Sequence, residues 1–180
     1  LLKQKQEKPF FLVLAQLEPY QQNDINGFAP PRGYDGKFRN PYVQPDLRPF
    51  PGDWPYQLAN YDGDCKSIDE FMGRIFQTLK EQNLEDNTIV IFLSDHGCHF
   101  RTRNTEYKRS PQDSSTHIPL IIQGPGFNNS RMIPEMVSLV DIAPSILGAL
   151  GLPISTTMQG RNFIPLIDDA KVRAEWRNEV

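Results

Sequence analysis

Residues 88–93 form an uninterrupted apolar run, TIVIFL, which stops abruptly at the polar sequence SDHG of residues 94–97. An apolar run without alternation is typical of a strand that is buried on both faces, as in a parallel sheet. In open α/β sheets, ligands bind outside the carboxyl ends of the strands. The run therefore favours an α/β fold and marks residues 94–97 as a place for chemistry.

The rest of the chain alternates between predicted strands and helices. Further strands are predicted at 10–15, 118–122 and 137–140, and a helix is predicted from about Asp141 to Gly151. A longer helix is predicted from one apolar stripe with helical spacing, formed by Ile68, Phe71, Met72, Ile75, Phe76 and Leu79. It begins either at the capping-box pair Ser67 and Glu70 or earlier, near Tyr56. The order predicts a largely parallel central sheet flanked by helices.

Residues 18–57 have no periodicity and predict a long irregular segment, because nine of the 16 prolines lie within residues 1–55. Loops of this length in compact domains are usually functional or disordered. Aromatic and polar side chains in it suit a sugar ring by stacking and hydrogen bonding, and they equally suit plain loop packing. Tyr20 and Gln21 are the candidate substrate-binding residues, and Asn23, Tyr34 and Trp54 share their character.

Composition excludes several classes of protein. The 19 basic and 22 acidic residues give a net charge of −3, which argues against a nucleic-acid binder. No apolar run approaches the ~20 residues that a membrane helix needs, so no membrane span is expected. The 180 residues suffice for one domain, and the two cysteines predict neither a disulfide framework nor a compartment. Oligomeric state leaves no trace in the sequence.

Asp95 and His96 are candidate metal ligands. A carboxylate beside an imidazole offers a hard oxygen and a borderline nitrogen to a divalent cation, and Gly97 lets the backbone turn away sharply. The alternative is structural: Asp95 caps the following turn while His96 merely packs. An isolated Asp-His-Gly sequence fits both readings.

A basic segment follows the candidate metal ligands. Residues 98–109 carry four basic side chains against Glu106 alone, a local charge of +3 in an acidic chain. A cation site beside basic side chains suits a phosphate or sulfate ester, and a solvated basic loop is the alternative. The basic residues are Arg101 and Arg103, which we expect to bind substrate, together with Lys108 and Arg109. The single histidines His99 and His117 are, by themselves, typical of packed or surface positions.

Seven segments, in order, resemble the sulfatase family of the alkaline phosphatase superfamily. The most specific are TIVIFLSDH at 88–96 with Lys108 twelve residues beyond His96, and STHIPLII followed by GPG at 115–126. KPFFL at 8–12, SIDE with GRI at 67–75, VDIAPS at 140–145 and MQGR at 158–161 also resemble it. The resemblance implies an alkaline-phosphatase-like fold, with residues 1–180 as the middle-to-late part of one such domain.

The resemblance also implies roles for particular residues. Asp95 and His96 would be two ligands of the family's divalent cation, usually Ca²⁺, and Lys108 would contact the ester oxygens and assist the leaving group. His117 lies where family members often carry Arg, and it is the second candidate catalytic residue. The implied substrate is a small-molecule or glycan sulfate ester.

The sequence departs from the family pattern in two respects. It contains no Cys/Ser-x-Pro-x-Arg motif, so the nucleophile, a formylglycine in the family, is expected either outside these residues or not at all, and an early Asp-Asp pair of metal ligands is expected upstream of Leu1. Tyr20 follows Pro19 where the family usually has a catalytic His. Three functions remain open: a metal-dependent sulfuric ester hydrolase, which leads, a phosphodiesterase or phosphonate monoester hydrolase, and a non-catalytic domain that binds anions or glycans.

Overall fold

The protein is described by a computed structural model, which covers residues 2–3, 8–21, 26–127 and 129–178. The chain divides into two compact units, Leu1–Asn128 and Asn129–Val180. The candidate Asn23 lies outside the described residues. The assignment of residues 1–180 to one domain stays a prediction.

The longest element of the first unit is helix α1, Trp54–Glu81. Its apolar stripe is the one predicted, and Leu79 is buried at the end of the stripe. The helix begins at the earlier of the two expected positions, with Pro55 in its first turn, where a missing backbone N–H costs nothing. Ser67 and Glu70 therefore lie inside the helix, and the start predicted from the capping box is wrong.

Two strands follow, β1 (Val90–Leu93) and β2 (Leu120–Gln123), and a short helix α2 (Asp113–Thr116) lies between them. The strands pair antiparallel, with Leu93 opposite Leu120 and Val90 opposite Gln123. Gly124 ends β2 at a φ of 129°, a left-handed value that favours glycine. The expected parallel sheet is therefore not seen in the described residues, which form one antiparallel pair.

Two other predicted strands do not form. Residues 10–15 have no regular structure, and two apolar side chains within this run are open to solvent, with Phe11 74% and Val13 71% exposed. A strand exists only through the partner that accepts and donates its backbone hydrogen bonds, and no described strand pairs with this run. The run predicted at 137–140 instead leads into a 3₁₀ turn at Leu139–Asp141.

The irregular segment 26–53 packs against α1. Phe28, Leu47, Leu58 and Phe100 form the buried cluster at this contact. Hydrogen bonds fix the segment, because the Phe28 N–H donates to Gln57 Oε1 at 3.0 Å and the Tyr34 hydroxyl donates to Glu70 at 2.5 Å. Loop packing thus accounts for Tyr34, one of the candidate sugar-stacking residues.

The second unit contains helix α3 (Ile142–Ala149), a 3₁₀ turn (Ile164–Ile167) and helix α4 (Ala170–Ala174). Asp141, which has no exposed surface, accepts hydrogen bonds from the Ser138 and Arg161 N–H groups and pairs with Arg177. The helix predicted from Asp141 is confirmed. None of the helices in the described residues is long and apolar enough to cross a bilayer.

Candidate active site

The turn after β1 presents Asp95 and His96 at the end of the strand. The Ser94 hydroxyl donates to the His96 carbonyl at 2.8 Å, and the His96 N–H donates to Asp95 Oδ1 at 3.1 Å. Gly97 then passes against residues 114–115 and donates its N–H to the Ser115 carbonyl at 2.8 Å. A side chain at position 97 would collide with the Ser114 carbonyl, so only glycine allows this close approach.

The contacts of the His96 ring indicate its tautomer. Nδ1 lies 2.9 Å from the Gly97 carbonyl, and Nε2 lies 3.0 Å from the Lys108 ammonium. Because an ammonium only donates and a carbonyl only accepts, Nδ1 carries the proton and Nε2 offers a lone pair. Asp95 Oδ2 lies 3.4 Å from the same Nε2 atom. A carboxylate oxygen and the Nε2 atom of the imidazole therefore lie close together, and the Asp95 side chain is largely exposed.

Lys108 reaches this point between two aromatic rings. Its Nζ lies 5.1 Å from the ring centre of Tyr20 and 5.3 Å from that of Tyr107, within the range of a cation–π contact. The two rings meet edge to face at 6.0 Å. Burial and the neighbouring Tyr20 raise the pKa of Tyr107, so its phenol stays protonated at neutral pH. Asp95, His96 and Lys108, which the sequence motif already places in one site, thus form one cluster with Tyr20, which lies 75 residues before Asp95 in the sequence.

Arg101 and Gln21, two candidate substrate-binding residues, lie around Asp53. Arg101 donates to Asp53 Oδ2 at 2.8 Å and to the Thr105 carbonyl at 3.1 Å, and it also contacts the Asn26 side chain. Gln21 is buried and donates to the same Asp53 oxygen at 3.3 Å. These hydrogen bonds join the segments that carry Gln21 and Arg101 to Asp53. Contact of Gln21 and Arg101 with substrate stays a prediction.

The loop that carries Arg101 adopts an uncommon backbone. Phe100 and Arg101 both have positive φ angles, 49° and 55°, and the Phe100 carbonyl accepts the Asp53 N–H at 2.9 Å. Arg103, the other candidate arginine, lies 3.8 Å from the Phe50 ring centre and donates to the Asp46 carbonyl at 3.4 Å. Its substrate role also stays a prediction.

The other two histidines lie away from these contacts. His99 has no exposed surface, and burial lowers its pKa, in agreement with a packed histidine. His117, the second candidate catalytic residue, is 78% exposed and lies 3.5 Å from Asp113. No contact between His117 and the Lys108 cluster occurs among the described residues, and its catalytic role stays a prediction.

Comparison with known proteins assigns the chain to a family. The family model for sulfatases matches residues 1–152. The chain belongs to the sulfatase family. This confirms the resemblance stated from the sequence motifs.

Curated sulfatases cover different shares of the chain. It is 31% identical to the endo-4-O-sulfatase of Bacteroides thetaiotaomicron over 179 residues, which cover 92% of this chain and 34% of that protein. It is 37% identical to arylsulfatase K of Rattus norvegicus over 108 residues, 60% of this chain and 19% of that protein. The chain thus spans between a fifth and about a third of the length of these two sulfatases.

Solved structures agree on the fold class. A Bacteroides thetaiotaomicron structure described under the metabolism of multiple glycosaminoglycans has a TM-score of 0.58 and 36% identity, covering 68% of this chain and 25% of that one. Phosphonate monoester hydrolase of Agrobacterium radiobacter has a TM-score of 0.54 and 32% identity, covering 61% and 22%. This sulfatase chain is therefore a partial α/β fold of the alkaline-phosphatase type.

Sulfatases generally use a divalent cation, and the residues at the end of β1 fit part of such a site. The His96 tautomer is the one that a metal ligand needs, because Nδ1–H is bound to a backbone carbonyl and Nε2 is free to donate its lone pair. No third His, Cys, Asp or Glu joins Asp95 and His96 within the described parts of the chain. Nε2 has a single lone pair, so a cation bound there would replace Lys108 as its partner.

Sequence reasoning missed Tyr107 and Asp53. Tyr107 directly precedes Lys108, and a buried aromatic residue beside a site lysine is a signal that could have identified it. Asp53 precedes the Trp54-Pro55 start of α1, where a carboxylate usually predicts a helix cap. In the structure it makes no side-chain cap and pairs with Arg101 instead.

Proposed function

We propose that the protein carrying this chain hydrolyses sulfate esters. The observation that carries the proposal is the convergence of Asp95, His96 and Lys108, with Lys108 Nζ 3.0 Å and Asp95 Oδ2 3.4 Å from His96 Nε2. A carboxylate and an imidazole that can hold a cation, beside an ammonium, suit an ester whose oxygens become more negative during cleavage. Membership in the sulfatase family supports the same reaction.

Each residue of the cluster has a separate role in this proposal. Asp95 supplies a carboxylate oxygen and His96 supplies Nε2 to a divalent cation, which we propose to be Ca²⁺. A bound cation supplies positive charge that stabilises the ester oxygens as the bond breaks. Lys108 brings its ammonium to the same oxygens and stabilises the departing alcohol oxygen. The sequence has no Cys/Ser-x-Pro-x-Arg motif, so this proposal needs a nucleophile outside residues 1–180, which would be a formylglycine only if such residues supply it.

We propose a sulfated glycan as the substrate class. The support is the similarity to an endo-4-O-sulfatase and to a structure described under glycosaminoglycan metabolism. Tyr20 fits this class as well, because an aromatic ring beside the ammonium can stack on a sugar face. Small aryl sulfates would be accepted as poorer substrates, since they present the same ester group without the sugar.

A phosphonate monoester hydrolase is the second candidate. The 32% identity to the Agrobacterium radiobacter enzyme supports it, and the Asp-His-Lys cluster suits both esters. A purely binding role is the third reading, supported by Tyr20 in the position of the family histidine, because a phenol does not replace an imidazole as an acid or base at neutral pH.

One experiment separates these functions. The intact protein is freed of metal with a chelator, and hydrolysis of an aryl sulfate, a 4-O-sulfated glycan oligosaccharide and an aryl phosphonate monoester is measured with and without added Ca²⁺. We expect Ca²⁺-dependent release of sulfate that exceeds release of the phosphonate. Faster cleavage of the phosphonate would favour the second candidate, and glycan binding without turnover would favour the third.

Variants test the residue roles. We expect Lys108→Ala to lower kcat by about 100-fold or more, because one preorganised positive group at the reacting oxygens is removed. Asp95→Asn is expected to raise the Ca²⁺ concentration for half-maximal activity at least about 10-fold. Lys66→Ala, which removes an exposed lysine on α1, is the matched control. Full activity in Asp95→Asn and Lys108→Ala would contradict the assignment.

A further inference from the structure

Lys108 has no carboxylate partner among the described ion pairs, although it lies in a segment rich in charges. Two of the other three basic residues of this segment are neutralised nearby, since Arg101 pairs with Asp53 at 2.8 Å and Arg109 pairs with Glu106 at 3.0 Å, whereas Arg103 lies against the Phe50 ring. A lysine side chain has four rotatable bonds and about 2 kcal/mol of rotamer entropy. Something other than an ion pair must therefore define where this ammonium stays.

Besides the His96 imidazole at 3.0 Å, two aromatic rings surround it. Tyr20 and Tyr107 place their ring centres 5.1 and 5.3 Å from Lys108 Nζ. An ammonium is attracted to the electron-rich face of an aromatic ring within about 6 Å of the ring centre. Unlike a carboxylate, a ring leaves the full positive charge available to an anion. A carboxylate in this position would cancel the charge and repel a sulfate or phosphonate group.

Tyr107 is the better fixed of the two rings. It is 8% exposed, its carbonyl accepts the His99 N–H at 2.7 Å, and its ring packs on both Tyr20 and His96. Because the ring is locked between His96 and Tyr20, its face defines a fixed position for the ammonium. The backbone of residue 107 is held by the same loop that carries Lys108.

We propose that Tyr107, together with Tyr20, is a positioning residue that holds the Lys108 ammonium beside His96 through its aromatic ring face. The inference rests on the proposed ester hydrolysis for its effect on rate, but the placement of the ammonium does not depend on that reaction. The proposal assigns the positioning of the ammonium to the aromatic ring of Tyr107 and not to its hydroxyl group.

The kinetic test compares variants of the intact protein that keep or remove the ring. Tyr107→Phe keeps the ring, and Tyr107→Leu and Tyr107→Met remove it with a similar apolar volume. We expect the two ring-free variants to lower kcat for an aryl sulfate by about 3- to 30-fold with little change in KM, and Tyr107→Phe to stay within about 2-fold. The loss should be larger for aryl sulfates with poorer leaving groups, because Lys108 acts on the departing oxygen.

A double-variant comparison shows whether the ring acts through Lys108. In a Lys108→Met background, Tyr107→Leu should cause no further loss of kcat. An equal further loss there would mean that Tyr107 acts on the fold alone, and it would overturn the proposal. A loss in Tyr107→Phe as large as in Tyr107→Leu would also overturn it, because the hydroxyl would then be the active group.

A spectroscopic readout decides the placement without any turnover. Two ring faces shift the Hε protons of Lys108 upfield in the NMR spectrum, and the signal is assigned by its loss in Lys108→Met. We expect this upfield shift in the wild-type protein and in Tyr107→Phe, and a reduced shift in Tyr107→Leu. An unshifted Hε signal in the wild type overturns the proposal even if no ring-free variant folds. Absence of hydrolysis with a shifted signal would reject the proposed function while supporting the placement.

Discussion

Asp53 Oδ2 lies 2.8 Å from Nη1 of Arg101, so the residue before α1 is joined by an ion pair to the loop that follows β1. Both side chains are about three-quarters buried or more, with 19% and 25% exposed. The pair fixes the backbone at Phe100 and Arg101, whose positive φ angles are unfavourable for residues other than glycine. The loop that ends at Lys108 is therefore anchored to the longest helix.

Removing this ion pair should destabilise the protein. We expect Asp53→Ala to lower the free energy of unfolding by about 1–3 kcal/mol, because a charge-assisted hydrogen bond is lost and the Arg101 guanidinium is left partly buried. The free energy of unfolding is measured by urea denaturation at pH 7. Asp69→Ala is the matched control, since Asp69 forms an exposed pair with Lys66 and should cost less than about 0.5 kcal/mol. Equal effects of the two variants would contradict the anchoring role.

Gly97 should be intolerant of any side chain. A methyl group there would collide with the Ser114 carbonyl and displace the turn that carries Asp95 and His96. We expect Gly97→Ala to lower the free energy of unfolding by about 1–3 kcal/mol and to weaken Ca²⁺ binding measured by calorimetry. Gly73→Ala on α1 is the control, because nothing lies within 4 Å of its added methyl group. It should stabilise the helix by about 0.5–1 kcal/mol.

Asp64 predicts a pH dependence of stability. This α1 residue has no exposed surface, and its two carboxylate oxygens have no hydrogen-bond partner among the described residues. Burial, with a smaller contribution from the charge of Glu18, raises its pKa from 3.8 to about 7. The folded state therefore binds the proton more tightly than the unfolded state. Its contribution to stability is present below pH 4 and is lost as the pH rises to about 7.

The Asp64→Asn variant isolates this contribution. We expect it to raise the free energy of unfolding by about 1–3 kcal/mol at pH 8, because no charge has to be buried there. The difference from the wild type should shrink towards zero near pH 4, where the wild-type carboxyl is neutral. Urea denaturation at pH 4, 6 and 8 gives the comparison. A constant difference across this range would show that Asp64 does not titrate as described.

The buried Asp141 should be essential to the second unit. It accepts two backbone hydrogen bonds, from Ser138 at 2.8 Å and Arg161 at 2.7 Å, and it neutralises Arg177. We expect Asp141→Ala to cost about 3–5 kcal/mol, because it leaves buried donors and a charge without a partner. Asp168→Ala, at an exposed pair with Arg131, should be nearly neutral. Thermal unfolding of both variants tests the difference.

The sequence predicts some of these features well because they follow from local patterns. The stripe from Ile68 to Leu79 identifies α1, and the polar stop after Leu93 identifies the turn with Asp95 and His96. The strand at 10–15 is not formed, because a strand depends on a pairing partner that its own residues do not specify. The predicted direction of pairing is wrong for the same reason, since the apolar run at 88–93 favours a parallel neighbour but its partner in the structure runs antiparallel.

In the candidate site, too, the features carried by one segment are predicted from the sequence, and the contacts between segments are not. Asp95, His96 and Lys108 are recognisable by their motif, which resembles that of the sulfatase family, whereas the partners of Arg101 are not. Asp53 lies 48 residues before Arg101, and only the folded loop brings the two charges together. Tyr20 meets Lys108 across a separation of 88 residues for the same reason. Spacing identifies residues that one segment carries, and contacts between segments require the fold.

The antiparallel pairing of β1 and β2 brings together the two ends of the segment that carries most of the site. Leu93 and Leu120 lie opposite each other, so the segment between them leaves the strand pair and returns to it at the same end. Paired strand residues lie about 5 Å apart, so the two ends of this segment stay close together whatever its length. Asp95, His96, Tyr107 and Lys108 therefore all lie on one segment whose two ends are held by the strand pair. A graft of residues 94–119 between relatives would transfer all four, provided that the recipient supplies counterparts of Tyr20 and Asp53.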